Sequence, residues 1–367
     1  MDPARRHDRR QFLKGAAALG VVAAASGAGA WRLLAGGDGG TAVEAGEGVS
    51  LDRLAANVVS GGPGKDGIPA IDEPRFVAAS EASFLTDEEV VFGLLAGGEA
   101  RAYPQLALVW HEIVNDVVVG EPVSVTYCPL TGSVVALSGS AGGRPLTFGT
   151  TGNLVNSNLL MYDRVTDSEW PQLLARAIDG PEKGARLAEA PLVWSRWRDW
   201  RAAHPDTRVL STDTGYSRAY GSDPYGSYSP PGGYYGGGGP IFPVLEESDR
   251  FGPKEVVVGV KAGEARVAIR KDRIQAAGAL PLEAGRTPLL ALWDERLATA
   301  RIFVRRVRGR TLRFREGGRR DSTGSLWDPS GRAVAGPLAG GRLRPADFLD
   351  VMWFAWYAFF PETEVVA

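Results

Sequence analysis

The chain is 367 residues long, enough for two or three domains and a sizeable core. Its 48 glycines and 24 prolines favour turn-rich β structure, and a formal net charge of −2 is too small to hold a polyphosphate, which excludes a nucleic-acid partner. One cysteine and three histidines exclude an intramolecular disulfide and an all-Cys/His structural zinc site, so any thiol chemistry falls to Cys128.

Residues 1–30 read as an export address. Arg5, Arg6, Arg9, Arg10 and Lys14 precede an uncharged stretch, Gly15 to Ala30, of mostly Ala, Gly and Val. That is the layout of a signal peptide. The run Arg9-Arg10-Gln11-Phe12-Leu13-Lys14 resembles the twin-arginine motif, and Ala28-Gly29-Ala30 suits a cleavage site. The apolar run is too short for a permanent membrane span, and no cysteine follows it to carry a lipid. The expected partner during export is the twin-arginine translocase, and the expected location is periplasmic, cell-envelope or extracellular. Because that route carries folded proteins, it suits one that bears a metal or other ligand.

Residues 31–65 are expected to be a flexible segment, and beyond them one pattern is written twice. Gly98-Glu99-Ala100-Arg101 recurs as Gly263-Glu264-Ala265-Arg266, Pro122 to Tyr127 faces Pro288 to Trp293, and Ser168-Glu169-Trp170 matches Ser325-Leu326-Trp327. Trp200 aligns with Trp356, and Pro205-Asp206-Thr207 with Pro361-Glu362-Thr363. The reading is two related domains from an internal duplication, 66–212 and 250–367, the second degenerate. Between them 213–249, rich in Gly, Tyr and Pro, is expected to be a linker whose tyrosines could also lie over a groove as a lid.

Within the first domain, Pro122 to Tyr127, Val134 to Leu137 and Leu146 to Phe148 are β-branched runs bounded by Gly and Pro, and so predict strands. Leu106, Val109, Trp110, Ile113 and Val114 recur at helical spacing and predict a helix over 105–116; a second is predicted over 194–203. The fold class is α+β with mostly antiparallel sheet. No phosphate-binding glycine loop or nucleophile elbow is present.

Cys128 ends a predicted strand in which Ser124, Thr126 and Cys128 alternate with Val123, Val125 and Tyr127, so the sulfur falls on the polar face beside a turn. Its counterpart in the second copy is Asp294. His111 lies on the flank of the predicted helix, with Asn115 one turn on, and an ungapped alignment sets it opposite Ala276. His204 corresponds to Phe360, which points to ring packing. Sulfur and imidazole together suit copper or zinc, with Asn115 and Asp163 as secondary ligands; they equally suit a thiol nucleophile and its base. Asp163 and Arg164 read alternatively as an ion pair at a turn, and Trp170 as core.

The chain resembles the exported proteins grouped as domain of unknown function 3179. The phrases that carry the resemblance are DGIPAID at 66–72, GEARAYP at 98–104, WHEIVND at 110–116, VTYCPLTGS at 125–133, LTFGTTGNLVNSNLLMYDR at 146–164, HPDT at 204–207, DPYGSY at 223–228 and PKEVVVGV at 253–260. The resemblance implies His111 and Cys128 as site positions and no particular activity. Members often carry Cys-Pro-Leu-Cys-Gly where this chain has Cys128-Pro129-Leu130-Thr131-Gly132, so a redox dithiol is closed to it. Two functions stay open: a metal-dependent or thiol-dependent site at Cys128 and His111, or a non-catalytic envelope binding protein that uses the groove between the repeats and a tyrosine-rich lid for a small-molecule or envelope ligand. A hydrolase with paired carboxylates has no recognisable spacing here.

Overall fold

The computed structural model describes residues 48–367 except 142 and 229. The export signal of 1–30 and residues 31–47 therefore lie outside the described residues, while 48–65 of the segment expected to be flexible carries the helix Leu51–Ala55 and the strand Val59–Ser60, with Leu54 in the core. What is described is mostly antiparallel β with few helices, 42% strand and 13% helix, the α+β class that the Gly and Pro punctuation predicts.

The first half is built on three sheets. In one, Val90–Ala96 and Glu99–Pro104 form a hairpin flanked by Val193–Arg196 on one side and, on the other, by Arg208–Leu210 and Phe76–Ala78. Its pairings are antiparallel except that of Arg208–Leu210 with Glu99–Pro104. The second runs Glu189–Ala190, Ser133–Ser138, Glu121–Cys128, Ile113–Val118, and the third Val59–Ser60, Phe148–Val155, Asn158–Asp163, Glu169–Pro171. The Trp197–Ala203 helix lies on the first sheet because Gly93 leaves room for it: a Cβ there would come within 2.1 Å of the Trp200 ring.

Two predicted helices are shorter than expected. The first spans Gln105–His111, and the chain then enters a strand, Ile113–Val118, paired with Glu121–Cys128. Between them Glu112 is left-handed, φ 57° and ψ −29°, which ends the helix. The β-branched Ile113, Val114, Val117 and Val118 then suit a strand better than further turns of helix. Likewise 194–203 divides into the strand Val193–Arg196 and the helix Trp197–Ala203.

The second half has the same succession of elements. Val256–Ala262 and Ala265–Arg270 form the hairpin, Lys271–Ala277 the helix, and Ala279–Ala284, Thr287–Asp294 and Thr299–Val304 the following meander; Asp347–Met352, Trp353–Phe359 and Glu364–Val366 close it. Trp356 lies over Gly259 as Trp200 lies over Gly93. Each indole donates to a threonine, Trp200 to Thr207 at 3.0 Å and Trp356 to Thr363 at 2.8 Å. The hairpin registers match Gly93 to Gly259 and the turn Gly97-Gly98 to Gly263-Glu264, an offset of 166. The Gly-Glu-Ala-Arg phrases, 165 apart, are therefore one position out of register, and the residue in the place of His111 is Ala277 rather than Ala276.

The halves are not merely strung together. One buried cluster joins Cys128, Leu130 and Trp170 of the first to Met352, Trp353 and Trp356 of the second. The Met352 amide bonds to the Thr131 carbonyl at 3.0 Å, so the second half braces the turn that follows Cys128. Among the described residues no helix is long and apolar enough to cross a membrane.

Candidate functional site

Cys128 closes the strand Glu121–Cys128, opposite Ser133. The alternation predicted from sequence holds, but neither face meets solvent: Ser124 and Thr126 are as buried as Val123 and Val125. Their hydroxyls are satisfied inside, Ser124 donating to Asn115 Oδ1 at 2.8 Å and Thr126 to the Val135 carbonyl at 3.0 Å. The thiol is 0% exposed and points its sulfur at the Ser157 carbonyl, 3.8 Å away. Burial, and after it the nearby Glu112, push its pKa up to about 11. It is a protonated thiol at neutral pH.

His111 ends its helix with both ring nitrogens engaged. Nδ1 lies 2.7 Å from the Pro69 carbonyl and Nε2 2.6 Å from the Tyr220 hydroxyl. A carbonyl can only accept, so Nδ1 carries the proton, and Nε2 receives that of Tyr220. The Tyr220 oxygen accepts in turn from Thr214 at 2.5 Å. Burial lowers the imidazole pKa, the Pro69 bond opposing it, and the neutral ring is stacked on Tyr220.

The expected Cys128–His111 centre is therefore not assembled, because the donors face different partners. Among the described residues no three His, Cys, Asp or Glu side chains converge as a metal ion would need. The secondary ligands are also spent. Asn115 lies on a strand, not a helix; its Nδ2 donates to Asp72 Oδ1 at 2.7 Å and to the Phe148 carbonyl at 2.9 Å, and its Oδ1 accepts from Ser124 and the Phe148 amide. Asp163 folds a turn: it accepts from the amides of Val165 and Thr166, the Thr166 hydroxyl and Trp170 Nε1. Burial works against its charge, but those bonds prevail and hold its pKa low. Asp321 bonds Trp327 Nε1 in the same way, at 2.9 Å. Arg164 pairs with Asp72 rather than with its neighbour Asp163. The His204 ring packs tilted against Trp200, centroids 4.3 Å apart, as Phe360 packs against Trp356 at 4.6 Å.

The carboxyl whose charge reaches the thiol is that of Glu112. It is 6% exposed, and burial raises its carboxyl from the usual 4.5 to about 8. Its backbone is anchored at both ends, the amide to the Leu108 carbonyl and the carbonyl to the Tyr127 amide, each at 2.7 Å. The side chain, by contrast, makes no hydrogen bond to a described residue; its electrostatic neighbours are Cys128 and Tyr225. At the equivalent place in the second half stands Gly278, φ 68°. Sequence comparison of the two halves at an offset of 166 carries this signal, since a glycine matched by a glutamate at a helix end marks a left-handed position held by the wrong residue type.

Over this bed lies the 215–240 segment. Its aromatic rings, rather than aliphatic side chains, order it. Tyr225, Tyr228, Tyr234 and Tyr235 pack into the core cluster. Asp223 Oδ2 accepts from Gln105 Nε2 at 2.6 Å and from the Tyr235 hydroxyl at 2.9 Å, while Trp110 Nε1 donates to the Ser222 carbonyl at 3.1 Å and the Tyr234 hydroxyl to the Leu130 carbonyl at 2.7 Å. Together these bonds tie a strap across the helix and the Cys128 turn.

A match to the family described as protein of unknown function (DUF3179) extends over residues 65–363. The chain belongs to the DUF3179 family. No curated protein and no solved structure matches it. The span of the DUF3179 match takes in Glu112, Cys128 and the whole strap. In this DUF3179 protein the turn after Cys128 is held by a polar network: the Thr131 hydroxyl donates to Ser133 Oγ at 2.8 Å, Asn158 Nδ2 donates to Thr131 at 3.2 Å, and Gln172 Oε1 accepts from both Ser133 and Asn158.

Proposed function

We propose that the protein is an exported binding protein of the cell envelope, whose ligand rests on the Glu112–Cys128 bed after displacing the strap. Export, by the twin-arginine route, is read from the paired arginines of 1–30. The repeated succession of elements supports two domains, 66–212 and 250–367, copied from one ancestral unit and joined by 213–249.

The observation that carries the reading is Glu112. A left-handed backbone costs a side-chain-bearing residue about 1–2 kcal/mol. The carboxyl is in addition largely withdrawn from water and accepts no hydrogen bond from a described group. The fold does not demand either cost, because Gly278 performs the same turn. Strain kept without a structural return points to a use for the side chain.

At pH 7 both the carboxyl and the thiol are neutral, and the strap offers phenol rings and hydroxyls. Such a surface suits a neutral, hydroxyl-bearing ligand such as an envelope glycan, its C–H faces against the rings and its hydroxyls on Glu112. A second reading, favoured by the electrostatic coupling of Glu112 to the thiol, is a thiol-dependent activity in which the strap lifts, water returns Glu112 to its carboxylate, and that carboxylate, in place of the expected His111, accepts the Cys128 proton.

Thermal-shift and fluorescence titrations of the full chain with neutral gluco- and chito-oligosaccharides test the binding reading. The expected result is a saturable shift that Glu112→Ala and Tyr225→Ala abolish. No shift in either the wild type or a strap-loosened Asp223→Ala variant removes the reading, as does a shift that Glu112→Ala leaves intact.

A further inference from the structure

A cleft of about 380 Å³ opens at the seam of the two halves, within the range of roughly 300–1,000 Å³ typical of small-molecule sites. Leu51, Leu174, Phe359 and Phe360 give it apolar walls. Three guanidinium groups line it as well: Arg176 and Arg186 from the first half, Arg266 from the second. Arg176 and Arg186 face each other across an antiparallel bridge. Arg266 spends Nη1 on the carbonyls of Gly263 and Ala265, at 2.7 and 2.9 Å, and lies 5.1 Å above the Phe360 ring. Its Nε is buried without a partner.

None of the three forms an ion pair among the described residues, whereas Arg101, the arginine of the first Gly-Glu-Ala-Arg phrase, is held by Asp116 at 2.6 Å. Burial lowers the proton affinity of both Arg176 and Arg266; Arg186 adds to this in each, while Glu264 opposes it in both and Glu189 and Asp347 oppose it in Arg266. Glu264, Glu362 and Glu364 also line the cleft, all three exposed, so its lip repels a multiply charged anion.

We infer that this cleft binds a singly charged amphipathic carboxylate, the head between Arg176, Arg186 and Arg266 and the apolar body against Leu174, Phe359 and Phe360. A carboxylate presents the planar pair of acceptors that a guanidinium fork fits, and the apolar walls supply the affinity that one charge pair in partial contact with water does not. The site takes residues from both halves, and it does not depend on the groove under the strap.

Calorimetric titration of the full chain with octanoate tests it, with acetate and octylammonium as controls. One saturable octanoate site is expected, weakened about tenfold in Arg186→Gln and in Arg266→Gln, each of which removes a charged hydrogen bond. Acetate, lacking the body, and octylammonium, carrying the wrong charge, are expected to give no saturable heat. Arg186 is exposed, so its variant keeps the test valid if Arg266→Gln fails to fold. Octanoate that does not saturate, that binds Arg186→Gln as tightly as the wild type, or that octylammonium matches, overturns the inference.

Discussion

Glu112 occupies the left-handed helix end that Gly278 fills in the other half, with φ of 57° against 68°. The two backbones do the same work, and only one carries a carboxyl into the interior. Replacing it should therefore stabilise the protein. Glu112→Gly removes the backbone cost and the desolvated acid, and gives back part of that gain through a freer unfolded chain. The expected net effect at pH 8 is about 1–2 kcal/mol of added stability, read as a higher Tm. A variant that melts below the wild type at pH 8 would show that the side chain holds the fold together, and the functional reading of its strain would go.

The same carboxyl sets a pH dependence. Its pKa is about 8 when folded and 4.5 as a free side chain, so between those values the native state keeps a proton that the unfolded chain has released. Stability from this group is full below pH 4.5 and is lost as pH rises through 8. Asp347, raised by burial to about 7, acts in the same direction. Denaturant titrations should show stability falling from pH 5 to 8, by an amount on the order of 3 kcal/mol for Glu112. Glu112→Gln should remove that share and leave the part due to Asp347. A slope unchanged in Glu112→Gln would mean that the carboxyl ionises as freely as in water.

The α+β class was readable because Gly and Pro bound the strands at close intervals. The end of the first helix was not. Leu106, Val109, Trp110 and Ile113 fit a helical stripe, while Ile113, Val114, Val117 and Val118 fit a strand equally well, and a single left-handed residue decides between them. Nor could alternation reveal the fate of Cys128. Ser124 and Thr126 mark a polar face by residue type, but their hydroxyls bond to Asn115 and to the Val135 carbonyl inside the protein. Period two distinguishes the faces of a strand; it does not say which of them meets water. The 213–249 segment misleads for a related reason. Poor in aliphatic residues, it orders itself through tyrosines whose rings supply buried area and whose hydroxyls find partners.

Reactivity of the single cysteine measures whether the strap is its cover. A thiol sealed in the core and protonated to about pH 11 reacts slowly with iodoacetamide at pH 8, since the thiolate is the nucleophile. Asp223 ties the strap to Gln105 and Tyr235, so Asp223→Ala should raise the alkylation rate about tenfold through local opening, with little change in global stability. If the rate rises only as the whole protein unfolds in denaturant, the strap is not the gate.

His111 works in the opposite pH direction from Glu112. Held neutral between Pro69 and Tyr220, its folded pKa lies below the usual 6.5. The stability it contributes is complete above pH 6.5 and is lost as pH falls through the lower folded value. His111→Phe keeps a ring against Tyr220 but leaves the Pro69 carbonyl without its donor, at a cost of about 1–2 kcal/mol at pH 7. Between pH 6.5 and 5 the wild type should weaken on this account and the variant should not. Parallel curves for the two would place the imidazole in solvent contact.

Equivalence of the halves can be tested on the two glycines that lie under tryptophans. A Cβ at Gly93 would fall 2.1 Å from the Trp200 ring, and one at Gly259 2.4 Å from that of Trp356. Real carbon contacts do not come so close, so either the helix must move off its sheet or the indole must leave its bond to Thr207 or Thr363. Both helices carry their tryptophan fully buried, in close-packed surroundings that a displaced ring would have to push apart. Gly93→Ala and Gly259→Ala should each cost about 3 kcal/mol, as overpacked cores do. Because Trp356 belongs to the cluster that contains Cys128 while Trp200 does not, Gly259→Ala should also speed alkylation of the thiol and Gly93→Ala should not. Equal acceleration by both would mean that the two halves unfold as one unit.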